Sequence, residues 1–390
     1  MFQQAERLQY LEPSPTRVMF RKCWALMSQG IKVTSLTLGQ PDFDTPDYIK
    51  EACKKYIDEG YTVYAEDTGI DALKKAIAAK LKKENDLDYD WEEISVTTGV
   101  SQGMFAAFMA FLNPGDEVLV PDPVYVTYNQ IPRIAQAVVK PYQLKEENNF
   151  QPDIAQIESL ITEKTKMICL VSPSNPIGSV MNLESLQGIA DLAIKHDLLV
   201  VSDEIYERLV YGDTKCISIA TLPGMKERTI VFNGMSKSMA MTGWRLGYIA
   251  APRELQEPMN RLGFYMTAGS VSFVQYTGVN CLTDEDGSIE RMRQEFEKRR
   301  NYIVAEINKL KHFSCRMPEG AFYVFMNITK TGMGSQEFCD YALEKHHLGL
   351  IPGNAFGESG EGFARISYAA SMEVLQEAVA KLQAMDTELA

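Results

Sequence analysis

The sequence predicts an α/β fold: a mostly parallel, doubly wound central sheet in a large domain, with a smaller α+β domain beside it. Two observations predict it. Short apolar runs alternate with amphipathic helical stretches through the middle of the chain, the texture of strands covered on both faces. From about residue 286 that texture gives way to a long charged helix and a few isolated strand-like runs.

The strand candidates are EISVTT (93–98), EVLVP (117–121), KMICLVS (166–172), LLVVSDE (198–204), TIVFNG (229–234) and LGYIAA (246–251). Most are unbroken hydrophobic runs rich in Val, Ile and Leu. Helices read between them. Thr45-Pro46 opens one and Gly60 closes it, as Pro and Gly do at helix ends. Others are expected near 69–84, 101–112, 123–135, 182–196 and 252–263, with a plain turn at NPGD (113–116). After the charged helix SIERMRQEFEKRRNYIVAEINKL come AFYVFM, a helix, GLIP, FARISYA and a last helix. The expected division is a large domain at 45–285 and a small domain made of 1–44 and 286–390.

Composition narrows the function. The 390 residues carry a formal net charge of −13, which argues against a general nucleic-acid surface. The seven Cys are widely spaced with no C-x-x-C, so neither a disulfide framework nor a zinc knuckle is expected. No apolar stretch suits a signal peptide or a membrane span. A cytoplasmic setting is the expectation. His196, His312, His346 and His347 show no ligand spacing, and no metal site is expected.

The informative pattern is where polar residues fall. EISVTT runs into Gly99-Val100-Ser101-Gln102, EVLVP into Asp122-Pro123-Val124-Tyr125, and KMICLVS into Pro173-Ser174-Asn175-Pro176. LLVVSDE carries Asp203 and leads to Tyr206; TIVFNG leads to Ser236 and Lys237. In an open α/β sheet, ligands bind beyond the carboxyl ends of the strands, so these residues converge on one crevice. The segment TTGVSQG enters a helix, whose N-terminus suits a phosphate or is simply a capped, Gly-rich turn. Asp203, at the end of an apolar strand, needs a partner or a task, or else caps the next helix. Lys237 is either a solvated amine or a Schiff-base amine whose pKa burial lowers. Arg365, in FARISYA, is an inward clamp for a carboxylate or an outward surface charge.

Seven motifs in order resemble the class I/II aminotransferases, pyridoxal-phosphate enzymes of fold type I. They are LGQPDFDTP (38–46), VYAEDTG (63–69), SPSNPIG (172–178), SDEIYE (202–207), GMSKSMAMTGWRLG (234–247), PEGAFYVF (318–325) and RISYA (365–369). The resemblance implies pyridoxal 5′-phosphate as cofactor, bound as a Schiff base by Lys237. It implies that Asp203 pairs with the ring nitrogen, that Asn175 and Tyr206 bond the ring's phenolic oxygen, and that Tyr125 stacks on the ring. Val100, Ser101, Gln102, Ser236 and Arg245 are expected at the phosphate. Tyr64 is expected to reach the phosphate of a neighbouring subunit, which implies a homodimer. Arg365, with Gly39 and Asn175, is expected to grip the α-carboxylate of an L-amino acid. The implied reaction is ping-pong transfer of the amino group to a 2-oxo acid such as 2-oxoglutarate, with the freed Lys237 amine as general base.

Two departures stand out. The family's usual Asn-Pro-Thr-Gly reads Asn175-Pro176-Ile177-Gly178, and Gly234 stands where many relatives carry a phosphate-binding Ser. By similarity, Asp122–Pro123 and Asn175–Pro176 are candidate cis peptides. A C–S lyase on the same scaffold is the alternative, because it needs the same Lys237, Asp203 and Arg365. A non-catalytic sensor lacks support, since no basic DNA-binding module is attached. The amino donor stays open between aspartate, aromatic amino acids, alanine and methionine. The VSQG segment offers no second cation for a dicarboxylate, while Phe20, Tyr64 and Tyr125 suit an apolar side chain.

Overall fold

The computed structural model describes residues 5–389. The chain runs through α1 (Pro15–Ser28), β1 (Thr34–Ser35), α2 (Asp47–Asp58) and α3 (Asp71–Asn85). Next come β2 (Ile94–Thr97), α4 (Val100–Phe111), β3 (Glu117–Asp122), α5 (Thr127–Ile134), β4 (Val138–Gln143) and α6 (Ile154–Leu160). They are followed by β5 (Thr165–Val171), α7 (Leu183–Lys195), β6 (Leu199–Asp203), β7 (Thr229–Gly234) and β8 (Gly247–Ala250). The remainder is α8 (Arg253–Thr267), α9 (Ser272–Thr283), α10 (Ser288–Ile307), β9 (Tyr323–Asn327), α11 (Ser335–His346), β10 (Leu348–Gly349), β11 (Ile351–Pro352), β12 (Phe363–Ser367) and α12 (Met372–Glu388).

The central sheet has seven strands in the order β2-β8-β7-β6-β5-β3-β4. Its faces follow the two-residue period of a strand. Leu119, Ile168, Leu170 and Val200 pack with Leu186 and Ile189 of α7 in one core cluster. Their neighbours Val118, Val120, Met167, Cys169 and Val201 pack with Met104, Ala107 and Phe108 of α4 in another. Helices on both faces explain why these strands read as unbroken apolar runs.

The sheet is mostly parallel, as expected, with one reversal. Strand β8 pairs antiparallel with both β7 and β2. The connection 235–246 holds only a short 3-10 turn, too little for the helical crossover that a parallel neighbour requires. Strand β2 thereby points the same way as β7. The carboxyl ends of β2, β3, β5, β6 and β7 all lie along one sheet edge.

Several elements escaped the sequence reading, α1 and β1 of the N-terminal segment among them. Strand β4 is an edge strand with mostly solvent-facing side chains and Pro141 within it, so it lacks the apolar run of its neighbours. Helices α6 and α9 escaped it too; α6 is a seven-residue helix, and α9 has only weak amphipathic contrast. Helix α5 starts at Thr127 rather than 123, after the cis peptide Asp122–Pro123. Asn175–Pro176 is also cis, as is Ser172–Pro173.

Strand β12 pairs antiparallel with β9 and β11 in a second sheet. The N-terminal segment joins it: β1 pairs with β10, and the Ser367 N–H donates to the Leu36 carbonyl at 3.0 Å. Among the described residues no helix is long and apolar enough to cross a membrane.

Candidate active site

Lys237, Asp203, Asn175, Tyr206 and Arg365 lie together at the carboxyl edge of the sheet, where β12 and the 36–39 segment meet it. Lys237 follows β7, and its Nζ donates to the Gly39 carbonyl at 2.7 Å. Burial lowers its pKa to about 8; Asp203 opposes that shift, while Arg365 and Arg245 add to it.

Asp203 closes β6 and is buried. Its Oδ2 accepts from the Tyr128 hydroxyl at 2.7 Å and its Oδ1 from the Ile205 N–H at 3.0 Å. Burial raises its pKa, and the two hydrogen bonds and the Lys237 charge pull it back. Tyr128 was not anticipated.

Arg365 settles the choice left by sequence: it points inward and is only 3% exposed. Its Nη1 donates to Asn175 Oδ1 at 3.1 Å and its Nη2 to the Thr37 carbonyl at 2.7 Å, while Nε has no partner among the described residues. A guanidinium has five N–H groups, so two bonds leave three to offer. The rings of Tyr323 and Phe356 flank it, with centroids 4.6 and 5.0 Å from Cζ. Tyr206 is buried, its hydroxyl 2.8 Å from that of Tyr323.

A second group forms around the start of α4. Gly99 precedes the helix with φ 74°, and no side chain caps it and no acid lies in its first turn. The Val100 and Ser101 N–H groups therefore open this end, where the helix dipole is positive. Arg245 lies against it: a Cβ on Gly99 would come within 2.6 Å of Arg245 Nη2. Ser236 is buried one residue before Lys237. Gln102 is engaged otherwise, its Oε1 accepting from the Thr98 N–H at 2.6 Å and its Nε2 donating to Thr267 Oγ1 at 3.0 Å. The missing serine at 234 has a backbone reason. Gly234 lies opposite Gly247, and a Cβ there would sit 2.8 Å from the Gly247 Cα and the Leu246 carbonyl.

Tyr125 is 39% exposed beside the cleft, whereas Tyr64 is 91% exposed. Among the described residues no group of three or more His, Cys, Asp or Glu could hold a metal ion. The residues missed by sequence, Tyr128 and Tyr323, meet their partners 75 and 117 positions away, and no local spacing signals such contacts.

The family model for aminotransferase class I and II matches residues 31–382. The chain is 42% identical over 385 residues to an aspartate aminotransferase of Pyrococcus abyssi, covering 97% of each. It is 41% identical over 385 residues to an aromatic-amino-acid aminotransferase 2 of Thermococcus litoralis, again covering 97% of each. Among solved structures, the aspartate aminotransferase from Thermus thermophilus with maleate superposes with a TM-score of 0.94 at 35% identity, covering 98% of this chain and 100% of that one.

Proposed function

The chain belongs to the class I and II aminotransferases, a family of pyridoxal-phosphate enzymes, and from that premise we propose that it transfers the amino group of an L-amino acid to 2-oxoglutarate in a ping-pong cycle, with Lys237 as the cofactor's attachment point. The carrying observation is the Lys237 amine, which follows β7 and is held on the Gly39 carbonyl at 2.7 Å within the fields of Asp203 and Arg365; burial there lowers its pKa to about 8. Such an amine is a nucleophile and a base near neutral pH.

The donor set fits the cofactor. Asp203 is a buried carboxylate that suits a protonated ring nitrogen. The open α4 N-terminus with Ser101, Ser236 and Arg245 suits a phosphate. Tyr125, Asn175 and Tyr206 supply a stacking ring and hydrogen-bonding groups for the remainder. When bound, pyridoxal phosphate supplies an aldehyde for the amino group and a ring that draws electrons from the substrate Cα. Asp203, as a carboxylate, keeps the ring nitrogen protonated. Arg365 holds the substrate carboxylate with its free N–H groups, beside Asn175 and Gly39. Lys237 Nζ takes the proton from Cα as general base. Gln102 acts on the phosphate indirectly, by bracing Thr98 ahead of the helix.

Residues 45–285 form the cofactor-carrying domain, and 1–44 with 286–390 the second. The pairing of β1 with β10 supports this grouping; residues 1–4 and 390 lie outside the described residues. A homodimer in the cytoplasm completes the proposal, supported by the outward Tyr64 and by cysteines that are all free.

Borohydride reduction of the loaded protein followed by peptide mapping tests the attachment. Label on the Lys237 peptide, lost in Lys237→Ala, is expected; label at the wild-type level in that variant assigns a different lysine. A panel of amino donors with 2-oxoglutarate then reads the side-chain preference. With one amino acid and no acceptor, the reaction is expected to stop after a single half-cycle. Continued release of pyruvate and ammonia marks a lyase instead.

A further inference from the structure

Tyr323 has no assigned part in the reaction, yet three parts of the site meet on it. It lies in β9 opposite Ser367 of β12 and is fully buried. Its hydroxyl is 2.8 Å from the Tyr206 hydroxyl. Its ring lies 4.6 Å from the Arg365 guanidinium carbon. The same hydroxyl crowds Gly39, where a Cβ would approach it to 2.9 Å, and the Gly39 carbonyl is the group that Lys237 Nζ holds.

We propose that Tyr323 is a positioning residue that links the two halves of the site, setting the donor strength of Tyr206 through its hydroxyl and the placement of Arg365 through its ring. The inference rests on the roles proposed above for Tyr206, Arg365 and Lys237. A Tyr206 hydroxyl has one proton. When that proton goes to the cofactor's ring oxygen, the Tyr206 oxygen is left to accept, and Tyr323 is its donor. A hydroxyl that accepts a hydrogen bond donates a stronger one, especially where water is excluded. On the other side, the ring face attracts the cation and limits where the guanidinium can lie. Gly39 completes the fit, because only a residue without a side chain lets the Tyr323 hydroxyl reach Tyr206 so close to the 36–39 segment.

A merely space-filling tyrosine would behave like phenylalanine, so the test uses two variants of the cofactor-loaded protein. The first readout is the pH titration of cofactor absorbance. The second is the affinity for unreactive carboxylates, succinate and hydrocinnamate, read from the same absorbance. Tyr323→Phe keeps the ring and removes the hydroxyl. Its titration midpoint is expected to move up by about threefold in proton affinity, with carboxylate affinity within about twofold of wild type. Tyr323→Leu removes the ring as well, and carboxylate affinity is expected to fall about fivefold. A Tyr323→Phe midpoint equal to wild type overturns the link to Tyr206. Unchanged carboxylate binding by Tyr323→Leu overturns the link to Arg365. Should the Leu variant fail to fold, Tyr323→Met, which also lacks a ring and fills more of the space, replaces it in the carboxylate measurement with the same expected fall and the same overturning result. Wild-type protein that takes no colour from pyridoxal phosphate overturns the functional reading beneath the proposal, an outcome separate from the other two.

Discussion

Asp203 and Glu204 are adjacent acids at the end of β6, and they serve opposite sides of it. Asp203 meets Tyr128 and the field of Lys237, while Glu204 Oε1 accepts from Ser202 and Ser218 and its Oε2 has no partner among the described residues. Burial pushes Glu204 up to about 7; Glu207 adds to that, and the two serines and Lys80 oppose it. Cys216, Tyr89 and Tyr248 also lie within its field. The folded protein thus keeps the Glu204 proton from pH 4.5 to about 7, where the unfolded chain has lost it. Stability from this group therefore falls as pH rises through that window. Glu204→Gln is expected to flatten the slope, as read from urea midpoints at about pH 5 and about pH 8; equal slopes in both proteins would sink the idea. Lys237 has the reverse sign. Its folded value of about 8 lies below the ordinary 10.5, so the neutral amine is available at lower pH than in a solvated lysine. The rate of cofactor uptake by apoprotein is expected to rise with a midpoint near 8, and Asp203→Asn is expected to move that midpoint lower by removing the charge that favours the ammonium. Stopped-flow absorbance checks both, and a wild-type midpoint near 10.5 refutes the desolvated amine.

At the scale of elements, the strands that carry chemistry were legible because both of their faces are covered. β3, β5, β6 and β7 each appeared as an apolar run ending in a polar group. β4 did not, because an edge strand with solvent-facing side chains has no apolar signature. Lys237, Asp203 and Arg365 were also legible, since each stands at a strand end or within a short strand next to a motif. Tyr128 and Tyr323 were not, because their roles depend on pairings that only the folded sheet creates. The same holds for the strap before β12. The Phe356 carbonyl accepts from the Val124 N–H at 2.8 Å, and the Ser359 N–H and hydroxyl donate to Asp122 Oδ2 at 3.2 and 3.1 Å. This strap ties the loop that bears Tyr125 to the segment whose Phe356 ring lies against Arg365. Gly357 sits in it at φ 135°, and a Cβ there would overlap the Asp122 carboxylate. Gly357→Ala is expected to cost about 2–3 kcal/mol in urea unfolding and to raise KM for the amino donor more than it lowers kcat. An alanine that leaves both unchanged means the strap is dispensable. The backbone also explains Gly234. Gly234→Ser is expected to weaken cofactor binding, by about tenfold, because it separates β7 from β8 before any hydroxyl can help; tighter binding would contradict the 2.8 Å approach at Gly247.

For the whole molecule, the feature that one chain does not account for is the surface around Tyr64. Val63 and Tyr64 are 74% and 91% exposed, and the segment they belong to lies against Gly269, Ser272 and Tyr276; Phe264 and Tyr265, at the end of the helix that precedes Gly269, are exposed as well. Large side chains left in water together mark a contact surface. A symmetric pair of chains would cover the patch on both copies at once. If Tyr64 completes the partner's phosphate site, then Tyr64→Ala spoils the neighbour's site, whereas Lys237→Ala spoils its own. Each variant alone is expected to be nearly inactive. A hybrid dimer of the two has one site carrying both defects and one site carrying neither. With equal amounts and free exchange of subunits, half of the dimers are hybrids, so about a quarter of all sites are intact. Mixing the two variants under mild denaturant and then removing it is expected to restore about a quarter of wild-type activity, at a sedimentation mass near twice 43.8 kDa. Activity no greater than the sum of the separate variants, from a mixture shown by mass to contain hybrids, would place Tyr64 outside the partner's site.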